Sequence, residues 1–301
     1  MNKAEFENIM EEIDEILKEK NVPFHARSFH ALSELAKKLK QNIIITPLKG
    51  TAIANVYEGV SLSRHVMDWY REKYGDKLKI NITQGTSVIL IKKDPYKIIF
   101  PFFRGTLNLV CDRNLKKYKR VEPITIKKNE KLIDNCLNYI EELTQYQADR
   151  LTDDELHNIH KYINDTFNTL FLIEDISNQK YVKEALTDLN LSVDLIFSKN
   201  KQLGMSKYSS MQFFEKIIKA YISLHNEKEF KIHKLNELTN KAIEYGLSPL
   251  PIELIDKVKC SAEPRYNKNI VTLEEAVEAH HASLELSKKV AQVILERFKN
   301  E

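Results

Sequence analysis

The sequence predicts two domains, an N-terminal α+β domain with a small antiparallel sheet over residues 1–125 and an all-α helical domain over residues 126–301. Three observations carry this division. Short β-branched and aromatic runs separated by turn residues are confined to residues 78–111. Beyond residue 130, apolar residues recur at helical spacing and two capping boxes punctuate the chain. Only 7 Gly and 8 Pro in 301 residues suit helices joined by short connections, and the length accommodates two cores.

In order, residues 3–20 read as a surface helix with Phe6, Ile9, Met10, Ile13, Ile16 and Leu17 on one face, broken by Pro23. A second helix is expected from Ser28 to Leu39. The run Asn42–Thr46, closed by Pro47, reads as a strand. Residues 52–74 read as helical but interrupted at Gly59, and Gly75-Asp76 ends them. A four-stranded meander is then expected from Leu78–Thr83, Ser87–Lys92, Tyr96–Phe102 and Thr106–Cys111, with turns at Gln84-Gly85, Asp94-Pro95 and Arg104-Gly105.

Residues 113–128 have little apolar periodicity and contain Pro123, so the domain boundary is placed there. Helices are expected over Glu130–Tyr146, from the capping box Thr152–Glu155 to Glu174, and over Tyr181–Lys199. The central element is Ser206–His225. Phe213, Phe214, Ile217, Ile218, Tyr221 and Ile222 give it a wide apolar stripe, with Ser206 as N-cap and Glu215 set four residues before Lys219. Lys234–Tyr245 ends at Gly246, a suitable C′ glycine. Pro249 and Pro251 open a short helix to Cys260, and the capping box Thr272–Glu275 launches a last helix to Phe298.

The net charge of +3 is too small to identify a partner. Cys111, Cys136 and Cys260 are widely spaced and form no zinc or redox motif, so they read as reduced, mostly buried thiols of a cytoplasmic protein. No run approaches a membrane span, and the acidic N-terminal stretch is not a signal peptide. There is no Walker loop, dinucleotide fingerprint or nucleophile elbow, so no cofactor is expected. His157 and His160 share a helix face without a local third ligand, so no metal site is assigned; His280-His281 read as structural or interfacial.

From Lys92 to Lys131 there are 12 Lys or Arg against 4 Asp or Glu, with Tyr96, Phe100, Phe102, Phe103 and Tyr118 interleaved. One reading is a nucleic-acid surface in which Lys116, Lys117, Lys119 and Arg120 track a phosphate backbone. The other is a solvated sheet edge and linker with the aromatics turned into a core.

Four pieces in the second half resemble the HEPN family, the helical domain of nucleic-acid-processing systems. They are Asp188–Ile196 (DLNLSVDLI), Gln212–Ile222 (QFFEKIIKAYI), Ile232–Leu238 (IHKLNEL, with Lys234 where the family has Asp) and Glu263–Ser283. Together they span about residues 178–298. The resemblance implies a helical bundle that homodimerises through its helices. It also implies one of two roles. The first is a metal-independent endoribonuclease of a bacterial defence or toxin–antitoxin system. The second is a non-catalytic binding or scaffold module for a nucleotide or a partner protein such as a nucleotidyltransferase or antitoxin.

The catalytic branch needs an Arg followed after four to six residues by a His, the guanidinium steadying the pentavalent phosphate and the imidazole moving protons. Arg265 stands at the expected place, but no His follows before His280. Arg150 and His157 have the spacing outside the matched region, beside three acids that would repel RNA. The remaining catalytic candidates are Arg265 as phosphate clamp and His233 as acid/base, expected at the same end of a bundle. The dimer is expected through Phe213, Phe214, Ile217 and Ile218.

Overall fold

The computed structural model describes residues 1–41, 43, 51–78, 83–102, 107–118, 132–225, 233–260 and 271–300. The chain divides into two compact units, Met1–Asn81 and Ile82–Glu301. The division falls well before the boundary expected near residue 125.

In the first unit, α1 (Lys3–Glu19), α2 (Phe24–Leu39) and α3 (Gly59–Tyr74) enclose a core of Phe6, Met10, Ile13, Leu17, Leu32, Leu35, Val66 and Tyr70. Asn2 and Glu5 form a capping box at the start of α1. Gly59 opens α3 with φ +53°, which explains the interruption in the helical pattern. Asp14 is fully buried within this unit. Its carboxylate accepts from the Tyr74 hydroxyl and pairs with Lys73 at 3.2 Å, Lys18 at 3.3 Å and Arg27 at 3.7 Å. The described residues of this unit contain no strand, and the strand expected at Asn42–Thr46 lies outside them.

The sheet belongs to the second unit, so the expectation of an α+β N-terminal domain followed by an all-α domain is corrected in two ways. First, β1 (Thr83–Ile91) and β2 (Asp94–Pro101) form an antiparallel hairpin among the helices. Its turn is Lys92-Lys93, both at positive φ (51° and 74°), not Asp94-Pro95. Two left-handed residues in a two-residue loop match the twist of the strands, a geometry usually signalled by Asn-Gly. Gln84-Gly85 is no turn either. Gly85 sits beside a register shift inside β1, and a Cβ there would come within 3.1 Å of Leu170 on the neighbouring helix.

Second, β3 (Leu107–Val110) pairs in parallel with β4 (Leu132–Asn135), where a helix from Glu130 was expected. Asp134-Asn135 explains the difference, because both side chains bond the backbone in competition with helix formation. Asp134 accepts from the amide of Asn135, and Asn135 exchanges two bonds with Asp112 across the strand pair. A 3₁₀ turn (Cys136–Tyr139) and the short α4 (Gln145–Ala148) follow.

The remaining helices are α5 (Asp153–Asp175), α6 (Val182–Phe197), α7 (Leu203–Ser223), α8 (Leu235–Glu244), α9 (Ile252–Val258) and α10 (Leu273–Asn300). The capping boxes at Thr152/Glu155 and Thr272/Glu275 form as the sequence predicts, and Gly246 follows α8 with φ +95°. α7 is the central element, packed by α6, α8, α9 and α10. Phe213, Phe214, Ile217 and Ile218 are fully buried inside the chain. Ser206 is not its N-cap. The helix starts at Leu203, and Ser206 is a buried interior residue whose hydroxyl donates to the Ser192 carbonyl at 2.6 Å.

β1 is buried on both faces. Val88 faces Val193, Ile196, Ala276 and Val277, while Ile89 and Ile91 join the main core of α5, α7 and α10. Among the described residues no helix is long and apolar enough to cross a membrane.

Candidate functional site

The burial of α7 on nearly every side changes the meaning of its charged residues. Glu215 and Lys219 read as a surface pair at i, i+4, yet both are buried, at 2% and 7% exposure. A buried charge has to be paired, and this one is. Glu215 Oε1 accepts from Lys219 Nζ at 2.7 Å and Oε2 accepts from Gln212 Nε2 at 3.1 Å. The third donor comes from outside the helix. His233, just before α8, places Nδ1 3.1 Å from Glu215 Oε1. A carboxylate only accepts, so in the Glu215 pairing Nδ1 carries the proton and Nε2 is the acceptor of the neutral ring; Lys219 Nζ lies 3.5 Å from the same Nδ1.

The His233 side chain is 75% exposed, and it lines a cleft of about 520 Å³ with Met211, Lys234, Asn236, Lys259 and Cys260. The imidazole is therefore oriented from behind by a buried carboxylate and presented to solvent. Positive charge at the rim comes from Lys234 and Lys259, although Lys234 also pairs with Glu237 and Lys259 with Asp256. Lys216 points away from the cleft and ties α7 to Asp188 of α6 at 2.6 Å.

The structure treats the other sequence candidates differently. Arg265 lies outside the described residues, as do Lys119 and Arg120. Arg150 folds over the Tyr146 ring at 3.3 Å and donates to the Tyr146 carbonyl, while His157 lies exposed on α5; the two are not brought together. His160 bonds the Leu109 carbonyl at 3.0 Å, so it ties α5 to β3 instead of serving a metal. No group of metal-ligating side chains occurs among the described residues. Lys117 pairs with Asp112 at 2.5 Å, which offsets part of the basic cluster; Lys116 is exposed. Phe100 is fully buried and stacks on Phe167, and the Tyr96 hydroxyl accepts from Gln147. These two aromatics serve the core.

His280 and His281 are both bonded within the chain. Ser192 Oγ donates to the Leu189 carbonyl at 2.7 Å and so accepts from His280 Nδ1 at 2.9 Å. His280 Nε2 then accepts from Ser87 at 2.8 Å, and Ser87 in turn accepts from Tyr162 at 2.6 Å. Burial, with His281 adding to it, pushes the His280 pKa down to about 3. His281 donates from Nε2 to the Val88 carbonyl at 2.8 Å and packs with its ring tilted against Tyr162. Tyr162 and His281 floor a second cleft, about 580 Å³, between α5 and α10. Nothing in the one-dimensional pattern marked this network, because its members are spread over positions 87, 162, 192 and 280.

No family model, no curated protein and no solved structure matches this chain.

Proposed function

We propose that the protein is a HEPN-like protein that acts on RNA as a metal-independent endoribonuclease, working through the cleft beside α7. The observation that carries this reading is His233, held by the buried Glu215 through Nδ1 and open to solvent at Nε2. Two pairs of the segments that resemble the family also meet in space. Glu215 meets His233, and Lys216 meets Asp188.

In this reading an RNA phosphodiester enters the cleft with its 2′-hydroxyl near Nε2. His233 takes the 2′-OH proton as the oxygen attacks phosphorus, and Glu215 stabilises the imidazolium that forms. Lys259, on the cleft wall, steadies the charge that builds on the phosphate oxygens, and Arg265, outside the described residues, is the sequence's candidate for a second clamp. The bond to the 5′-oxygen breaks as that oxygen takes from His233 the proton the imidazole has just removed, leaving a 2′,3′-cyclic phosphate and a 5′-hydroxyl.

One observation favours a second reading, a non-catalytic module that binds a nucleotide or a partner protein. No His follows Arg265 at the family's spacing, so one imidazole per cleft would have to serve as both base and acid.

The test is cleavage of a mixed RNA substrate in the presence of EDTA, for wild type, His233→Ala and Arg265→Ala, with the thermal midpoint recorded for each. The ribonuclease reading expects cyclic-phosphate ends from wild type and a loss of at least about 100-fold in both variants with each still folded at the assay temperature. Absence of cleavage by wild type refutes it. Nucleotide binding lost in His233→Ala would then establish the module.

A further inference from the structure

The parallel pair β3–β4 brings together two of the three cysteines. The register pairs Leu109 with Asp134 and Val110 with Asn135, so Cys111 and Cys136 follow at adjacent ends of neighbouring strands. Adjacent strands lie about 4.8 Å apart, within the Cα separation that a disulfide spans. The ends are held together by Asn135, whose Oδ1 accepts from the Asp112 amide at 3.1 Å and whose Nδ2 donates to the Asp112 carbonyl at 2.7 Å. Each thiol shifts the pKa of the other. Cys136 is fully buried, whereas Cys111 is half-exposed.

We infer that Cys111 and Cys136 form a peroxide-sensitive dithiol, with Cys111 the attacking thiol and Cys136 the resolving one. The asymmetry of the pair assigns the roles. Cys111 is the less buried of the two, and Cys136 beside it, with the Arg113 guanidinium, draws its pKa down while burial and Asp112 push it up. Cys136 is fully buried beside Cys111, and both push its pKa up. The Cys111 thiolate attacks one oxygen of a hydroperoxide and displaces the other as hydroxide or alkoxide, which takes up a proton; the product is a Cys111 sulfenic acid. The Cys136 sulfur then attacks the Cys111 sulfur, its proton leaving with the sulfenic hydroxyl as water, and a disulfide closes. The peroxide is reduced by two electrons and the thiol pair is oxidised by two. The product clamps the carboxyl ends of β3 and β4.

The test is treatment of the folded wild-type chain with a small excess of hydrogen peroxide. Free thiols are then alkylated under denaturing conditions and peptides are mapped by mass. We expect a Cys111–Cys136 cross-linked peptide, a loss of two hydrogens that a dithiol reductant reverses, with Cys260 alkylated. In Cys136→Ser a dimedone probe should trap the sulfenic acid at Cys111, and Cys111→Ser should give no cross-link. The inference is overturned if Cys111 and Cys136 remain alkylatable in wild type under peroxide that oxidises free cysteine. A disulfide to Cys260, or one between two chains, overturns it equally. The wild-type readout stands whether or not the variants fold.

Discussion

At the residue scale, the decisive feature of the candidate site is that Glu215 has three donors and no exposure to water. Glu215→Gln removes the charge and strands Lys219 inside the protein. Breaking a buried pair from one side costs about 3–5 kcal/mol, so a fall of that order in unfolding free energy is expected by urea titration. His233→Ala takes one donor from Glu215 but leaves Lys219 on the same oxygen, so a smaller loss of about 1 kcal/mol is expected. That contrast separates the group that orients from the group that meets substrate. Glu215 and Lys219 were visible in the sequence as an i, i+4 pair, but not their burial, because helical spacing says nothing about how many sides of a helix are covered. His280 carries a pH dependence. Its folded pKa lies near 3 against about 6.5 in an unfolded chain, so the unfolded state binds a proton that the folded state refuses. The stability this contributes is fully present above pH 6.5 and falls away as pH drops toward 3, by up to about 5 kcal/mol in all. Imidazole resonances of His280 should stay in the neutral form down to pH 4, and a change near pH 6 would refute the assignment.

At the element scale, most helices and the strands β1, β2 and β3 were legible, whereas β4 and the partner of β3 were not. The capping boxes at Thr152 and Thr272 and the glycine after α8 are local signals, and each marks its helix end as read. The hairpin was legible as a hairpin, but its turn was misplaced by two residues, since Lys92-Lys93 lacks the Asn-Gly signature while Asp94-Pro95 and Gln84-Gly85 carry turn residues. The parallel pairing of β3 with β4 joins segments more than twenty residues apart, and no local pattern encodes such a partner. The turn gives a prediction. Lys93 holds φ +74°, a conformation that glycine adopts without strain. Lys93→Gly should therefore stabilise the second unit by about 0.5–1 kcal/mol, read as a raised urea midpoint with the slope unchanged.

At the scale of the whole molecule, the hydrophobic clusters respect the division at Asn81/Ile82. The boundary expected around Pro123 falls on a stretch of which residues 119–131 lie outside the described residues. The four apolar residues on which a homodimer was expected are consumed by the chain's own core. Phe213→Ala should accordingly lower stability by about 3–5 kcal/mol while leaving the sedimentation coefficient of the folded protein unchanged; a shift in association state instead would restore them to an interface. The directed chain of hydrogen bonds from Tyr162 through Ser87, His280 and Ser192 to the Leu189 carbonyl has one proton per link, each already committed. A change at a link leaves its neighbours with an unmatched donor or acceptor, and Ser87, Ser192 and His280 are fully buried. Divergence of this sequence is thus constrained in correlated steps: in descendants of this chain, positions 87, 162, 192 and 280 should be retained together, or exchanged together for an apolar set, with mixed combinations rare.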